Sequence, residues 1–271
     1  MNRQLSKREL ERYRRQLMLA GFTPTRQGRL KDATILVAGI GGLGGAAAVY
    51  LAVAGIGKMK FAHYGNLTLS NMNRQVLMRD RWIGQNRVAQ AKKSIQEINP
   101  DVEIELYNER TTEENVDELL ADVHIALSAR PNFSERRVLN EACVRKNTPM
   151  VEAAMNGMEG YVFNVIPGIS PCLNCLYPED DPEWEELGFP VLGAVSGMVG
   201  CIMALEAIKL LTGFGKPLVS QMLVFNTFDL EFRKVRIKRN NACTICGNAV
   251  DTGEKEGHGG TCAEGESSFQ A

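Results

Sequence analysis

Apolar positions in this chain alternate between short unbroken runs and longer stretches where they recur every third or fourth residue. Ile35-Leu-Val-Ala38 is such a run, and it enters the glycine-dense turn Gly39-Ile-Gly-Gly-Leu-Gly-Gly45. The residues that follow, Ala46 to Ala54, are helix formers, so the pattern predicts a buried strand, a tight loop and a helix ending near Gly55 and Gly57. Lys58–His63, Val123–Ser128 and Pro149–Ala154 read as further strands, and Val102–Tyr107 alternates as a strand with one exposed face. Helices are predicted over Arg87–Ile98, closed by Asn99-Pro100, over Glu113–Leu120 and over Phe133–Lys146. Leu67–Asn73 reads as a loop or short turn.

At the N-terminus, residues 5–18 place Leu10, Tyr13, Leu17 and Met18 on one face of an amphipathic helix. The Gly21–Gly28 region with Pro24 reads as a connection. Alternating strands and helices over the first 150 or so residues predict an α/β fold with a doubly wound, mostly parallel, Rossmann-like sheet. Past Gly160 the pattern changes: Tyr161–Ile166, Met222–Thr227 and Glu231–Ile237 predict a small antiparallel C-terminal extension, with a long helix near Met198–Leu211 between its strands. The resulting division is a helical arm at 1–30, a nucleotide-binding unit at 31–160, an extension at 161–249 and a disordered Gly-, Glu- and Ser-rich tail at 250–271.

Composition narrows the class. The 271 residues are 44% hydrophobic and 23% charged with net charge −1, ordinary for a globular chain and without the basicity that nucleic acid or an anionic membrane requires. The N-terminus has no apolar core of signal-peptide type, so a cytoplasmic location is expected. Val191–Leu211 is apolar enough to raise a membrane span, but Glu206, Lys209 and its glycines favour a buried helix, and no membrane partner is expected.

Two features carry chemistry. Gly39, Gly41 and Gly44 fit G-x-G-x-x-G between a strand and a helix, with Gly42 inside the turn; glycines admit a phosphate close to the backbone and the helix N-terminus faces its charge. Cys172-Leu-Asn-Cys175 and Cys243-Thr-Ile-Cys246 are two C-x-x-C knuckles, which together complete the tetrahedral thiolate set of structural Zn²⁺. Cys143 and Cys201 are expected to be buried packing residues.

Arg12-Tyr-Arg-Arg-Gln16, the Gly39–Gly44 loop, Ser70-Asn-Met-Asn-Arg-Gln75, Gly84-Gln85, Leu139–Cys143, the two knuckles and Ala204–Leu211 occur in one order. Over residues 8–247 this resembles the ThiF/MoeB/HesA family, bacterial relatives of ubiquitin-activating enzymes. The resemblance implies a Rossmann-like homodimer that uses ATP, holds structural Zn²⁺ and adenylates the C-terminal Gly-Gly of a small ubiquitin-like carrier protein. It implies that Arg15, which by spacing alone sits on a solvated helix face, reaches into the partner subunit's site. Arg74 contacts phosphate within its own subunit, and Asn71 and Gln75 brace that loop.

Departures from the family pattern are concentrated at acidic positions. The D-x-D segment that anchors the ATP ribose aligns with His63-Tyr64-Gly65, and the family lysine aligns with Arg87. The Mg²⁺-associated Asp aligns with Pro131, beside Arg130, so ATP is implied without a secured Mg²⁺ site. The region Trp184–Val191 has no Cys for a thioester or persulfide. Two readings follow. One is an active adenylyltransferase in which Arg87 and Arg130 neutralise phosphate; the other is a catalytically degenerate nucleotide- or partner-binding subunit, paired with an active homologue in a heterodimer. An oxidoreductase, suggested by the glycine loop alone, accounts for none of the other motifs.

Overall fold

The computed structural model describes residues 4–179 and 188–247, and in it the apolar runs pair into one eight-stranded sheet. In chain order the elements are α1 (Lys7–Arg12), α2 (Arg14–Leu17), α3 (Pro24–Asp32), β1 (Thr34–Ala38), α4 (Gly42–Ala54), β2 (Lys58–Ala62), α5 (Arg87–Ile98), β3 (Glu103–Tyr107) and α6 (Val116–Leu119). There follow β4 (Ile125–Ser128), α7 (Phe133–Arg145), β5 (Met150–Asn156), β6 (Glu159–Val165), α8 (Leu173–Leu176), α9 (Gly193–Thr212), β7 (Gln221–Asn226) and β8 (Glu231–Arg236). The strand order is β3-β2-β1-β4-β5-β6-β7-β8.

The first five strands in that order are parallel, and β1 and β4 are buried along their whole length, as continuous apolar strands covered on both faces must be. From β5 onward the pairing is antiparallel, and the predicted extension continues the same sheet from its β5 edge. Register aligns Ala38 with both Ala62 and Ser128, so β1, β2 and β4 end flush. The sheet order reverses between β1 and β4, which is where a doubly wound sheet opens a crevice beyond the carboxyl ends of its strands.

Three local expectations are corrected. The arm at residues 5–18 is two helices broken at Tyr13, and of Leu10, Tyr13, Leu17 and Met18 only Tyr13 is buried. Its ring packs under Gly55, and its hydroxyl meets the Asn99 side-chain amide at 3.1 Å, so one aromatic anchors the arm in place of an apolar stripe. Pro24 opens helix α3 with Thr23 as its N-cap, where the sequence reading had a connection; the fixed φ of proline suits a first helical turn. Cys201 is only half-buried, whereas Cys143 is fully buried as expected. The tail at 250–271 and residues 184–187 of the Trp184–Val191 region lie outside the described residues.

Helix α9 is long and apolar enough to cross a membrane by length and composition. In this fold it lies along α4 and β5, with Val195, Val199, Met203 and Ala207 in the main core. Contact with α4 is close: a Cβ on Gly200 would stand 2.3 Å from the Leu43 carbonyl oxygen. The far half of α9 is fixed by a buried carboxylate. Glu206 accepts from the Asn164 amide at 2.6 Å and the Leu218 N–H at 2.8 Å, and pairs with Lys209. Removing that carboxylate strands two buried donors, so Glu206→Ala is expected to cost about 2–4 kcal/mol, read from denaturant midpoints. A loss below about 1 kcal/mol refutes this role for Glu206.

Candidate active site

The turn after β1 is built by glycine in two distinct ways. Gly39 adopts φ +106°, and Gly44 packs so tightly that a Cβ there would lie 1.8 Å from the Gly39 carbonyl oxygen. Gly41, at the N-cap of α4, has open space beside it, and Gly42 sits against the Ser196 hydroxyl of α9. The N-terminus of α4 therefore faces a cleft of about 590 Å³. Its walls come from the starts of α4, α5 and α9, from the exits of β2 and β4, from β5 and α7, and from the segment 66–74.

Of the residues singled out from sequence, Gly42, His63, Asn71, Arg74, Arg87 and Arg130 line this cleft. Gly39, Gly41 and Gly44 do not line it but shape the turn that carries Gly42. Gln75 is buried and does not line it. Arg15 is exposed on α2 and does not line the cleft of its own chain. Asn71 accepts from the Thr68 N–H at 3.0 Å, closing a short 3₁₀ turn, and Arg74 donates to the Ser70 carbonyl at 2.9 Å and to Asn73 Oδ1 at 2.8 Å. The loop is thus braced from within and presents Arg74 to the cavity.

At the β2 end the side chains form a linked set. Arg130 Nη1 lies 2.7 Å from His63 Nδ1, and Arg130 Nη2 donates to Glu135 Oε1 at 2.8 Å. A guanidinium only donates, so Nδ1 accepts and the ring proton sits on Nε2, which is buried without a partner. Burial, reinforced by the charges of Arg87 and Arg130, holds the His63 pKa well below the ordinary histidine range. Burial followed by repulsion from Arg130 lowers the Arg87 pKa to about 10. Burial raises the Glu135 carboxyl, but bonds from Arg130, Asn132 and the Thr111 N–H outweigh it and leave the pKa below the usual value. The cleft wall is electropositive, and the Glu135 carboxylate beside it is turned to Arg130.

Sequence reasoning missed Glu135, Tyr64, Arg110 and Arg136. Asn132-x-x-Glu135 has the form of a helix-start capping pair, and Asn132 does accept from the Glu135 N–H at 2.8 Å; the Glu135 carboxylate, however, is turned to Arg130 and Thr111. Tyr64 lies between two guanidiniums, with Arg110 4.2 Å and Arg130 4.6 Å from its ring centroid. Arg136 pairs with the fully buried Glu152 and bounds both the cleft and an adjoining trough of about 430 Å³ lined by Phe133, Tyr161 and Tyr177.

The four cysteines of the knuckles meet, with every sulfur within 4.8 Å of the others. Cys172 to Cys243 is 3.7 Å, Cys175 to Cys246 is 3.3 Å and Cys172 to Cys175 is 4.0 Å. Four thiolates at about 2.3 Å from one Zn²⁺ stand about 3.8 Å apart, so the cluster has the size of a tetrahedral zinc site. The Asn240 N–H points at Cys175 Sγ at 3.4 Å, the kind of donor that steadies a metal-bound thiolate.

Comparison with known proteins agrees with this geometry. Protein HesA (heterocyst) of Trichormus variabilis is 54% identical over 90% of this chain and 91% of its own. The sulfur carrier protein adenylyltransferase of Thermus thermophilus is 36% identical over 90% of this chain and 93% of its own. The structure of E. coli MccB with MccA-N7isoASN superposes with a TM-score of 0.78 at 22% identity, over 88% of this chain and 75% of that one, a likeness of fold. The ThiF family pattern matches residues 13–245, and the chain belongs to the ThiF family.

Proposed function

We propose that the chain is an ATP-dependent adenylyltransferase that activates the C-terminal glycine of a small ubiquitin-like, sulfur-carrier type protein. The observation that carries this reading is a glycine-built helix N-terminus opening into a cleft walled by Arg74, Arg87 and Arg130. Such a site receives phosphates through backbone N–H groups and cations together. In the reaction a carrier carboxylate oxygen attacks the α-phosphorus, the bond from that phosphorus to the bridging oxygen breaks, and pyrophosphate departs. Arg74 and Arg87 hold the charge that builds on the phosphoryl oxygens. The aromatic trough supports a protein substrate, because it shares Arg136, Ala154 and Met155 with the cleft and so offers an extended tail a route to it. The names of the relatives, the Thermus thermophilus sulfur carrier protein adenylyltransferase among them, support the same class of substrate.

Among the described residues lining the cleft none is Asp or Glu, so the wall offers Mg²⁺ no carboxylate and the arginines take over charge neutralisation. Arg15, exposed and remote from its own cleft, completes the cleft of a second copy in a dimer. The four cysteines hold one structural Zn²⁺: Cys172 and Cys175 follow β6, Cys243 and Cys246 follow β8, and the ion ties the two exits together.

Purified protein given ATP and a Gly-Gly-ended carrier is expected to exchange radiolabelled pyrophosphate into ATP, and Arg74→Ala to slow exchange by about 10²–10³-fold. Arg15→Ala and Arg74→Ala chains, each strongly slowed alone, regain exchange when mixed; no exchange by wild-type protein at high concentration refutes the enzyme reading. ATP affinity by calorimetry is expected to change less than about threefold on chelating Mg²⁺, and a loss above about tenfold shows a metal ligand that the arginines do not replace. Elemental analysis should find about one zinc per chain, with Cys243→Ser losing both the metal and thermal stability. A folded, zinc-free wild type refutes the metal site.

A further inference from the structure

In doubly wound folds the side chain at the end of the second strand, about 20 residues beyond the glycine turn, faces the nucleotide ribose; an acid there bonds the ribose hydroxyls, and an arginine nearby takes a ribose phosphate. Here that place belongs to His63, which directly follows β2 and continues its hydrogen bonding, its N–H donating to the Tyr107 carbonyl at 3.0 Å. The His63 ring and the two arginines that meet here offer the cleft donors. His63 Nε2–H is buried and unpartnered. Arg130 is held against the ring by Glu135, and Arg87 reaches in from α5 with its Nη2 on the Tyr64 carbonyl at 2.5 Å. Arg87 has no carboxylate partner among the described residues, so its charge is not balanced by the Arg130–Glu135 pair.

A ribose hydroxyl accepts one bond from His63 and leaves that charge unanswered. A tetrahedral oxyanion accepts from His63 and Arg87 at once and neutralises it, the charge-assisted kind of bond that is shorter and stronger than a neutral one. Glu135 adds little repulsion, because its Oε1 accepts from Arg130 and Asn132 and its Oε2 from the Thr111 N–H. The face of Tyr64 is taken by Arg110 and Arg130, so the ring steadies the guanidiniums and leaves the in-plane donors to the ligand.

We propose that the β2 end of the cleft binds a tetrahedral oxyanion additional to the 5′-phosphates of the nucleotide, held by His63 and Arg87, with Arg130 fixing the His63 ring. The inference rests on the nucleotide reading above and refines it. The oxyanion has two sources of one chemistry: a phosphate carried on the nucleotide's 2′ or 3′ oxygen, or a free phosphate-like ion seated beside an ordinary ribose.

Isothermal titration of the full chain with 5′-AMP, ATP, adenosine 2′,5′-bisphosphate, adenosine 3′,5′-bisphosphate and inorganic phosphate distinguishes them. A ribose-borne phosphate gives one bisphosphate binding at least about tenfold tighter than 5′-AMP; a free ion gives stoichiometric phosphate binding to protein saturated with 5′-AMP. In either case His63→Asp, which restores an acid at the ribose, and Arg87→Gln, which keeps the length and removes the charge, each abolish the gain, read within each variant as the ratio of bisphosphate or phosphate affinity to its own 5′-AMP affinity. Two variants on different elements guard against one that fails to fold. Bisphosphates within about threefold of 5′-AMP together with no phosphate binding overturn the proposal, as does a gain that survives both substitutions. ATP bound without such a gain overturns the oxyanion site alone, whereas failure of every nucleotide to bind overturns the nucleotide reading as well.

Discussion

Close backbone approach around helix α4 is the constraint on which the site depends. Gly44 lets α4 press onto the carbonyl of Gly39, and Gly200 lets α9 press onto the carbonyl of Leu43. A methyl group at either place would sit 1.8 Å or 2.3 Å from an oxygen, far inside van der Waals contact. Helix α4 is clamped from both sides, and its first N–H groups are aimed into the cleft before any ligand arrives. Preorganisation of that kind costs nothing at the moment of binding, which is why fixed dipoles outperform mobile ones in such sites. It also explains the apolar composition of α9: the helix is fully engaged on one side, and Gly193 and Ser196 at its start carry the packing up to the cleft wall.

The flush ends of β1, β2 and β4 turn this packing into chemistry. Three chain segments leave the sheet at one level, so Gly39, His63 and Ala129 stand side by side although they are far apart in sequence. Arg130 then crosses from the β4 exit to the β2 exit and binds the two together through His63. A buried guanidinium needs a counter-charge, and Glu135 at the first turn of α7 supplies it. The arrangement sets the Arg130 guanidinium at the β2 exit with its own charge compensated by Glu135.

Much of the fold was legible in the chain. Helix α5 occupies Arg87–Ile98 as the capping residue Asn86 and the breaker at Asn99-Pro100 demand, and the buried runs become parallel strands. What periodicity did not carry were long-range anchors. A single ring, Tyr13, breaks and fixes the N-terminal arm, and no repeat of apolar positions reports a solitary contact with Gly55 and Asn99. Glu135 was legible only as a helix cap, because its second role depends on an arginine side chain arriving from another loop. The cysteine pairs were legible because two thiols at fixed spacing encode their own geometry; Gln75 was named from motif position, which says nothing about its burial.

The antiparallel half of the sheet raises a separate question of stability, which a metal-loaded cysteine cluster would answer. Every residue of β8 is solvent-exposed, so burial of apolar area contributes little to holding this edge strand. Its ladder to β7 and the stacking of Phe232 on Phe225 are interactions that a terminal hairpin readily frays. Immediately after β8, Ile237, Cys243 and Cys246 return to the interior and join Cys172, Leu173 and Phe163 in the second core cluster. An ion held by two cysteines from each exit would close the loop between β6 and the end of β8, and would anchor the strand by its ends where its faces give no purchase. Since β6 and β7 contribute to the lining of the aromatic trough, the same closure would hold in shape the trough that adjoins the cleft.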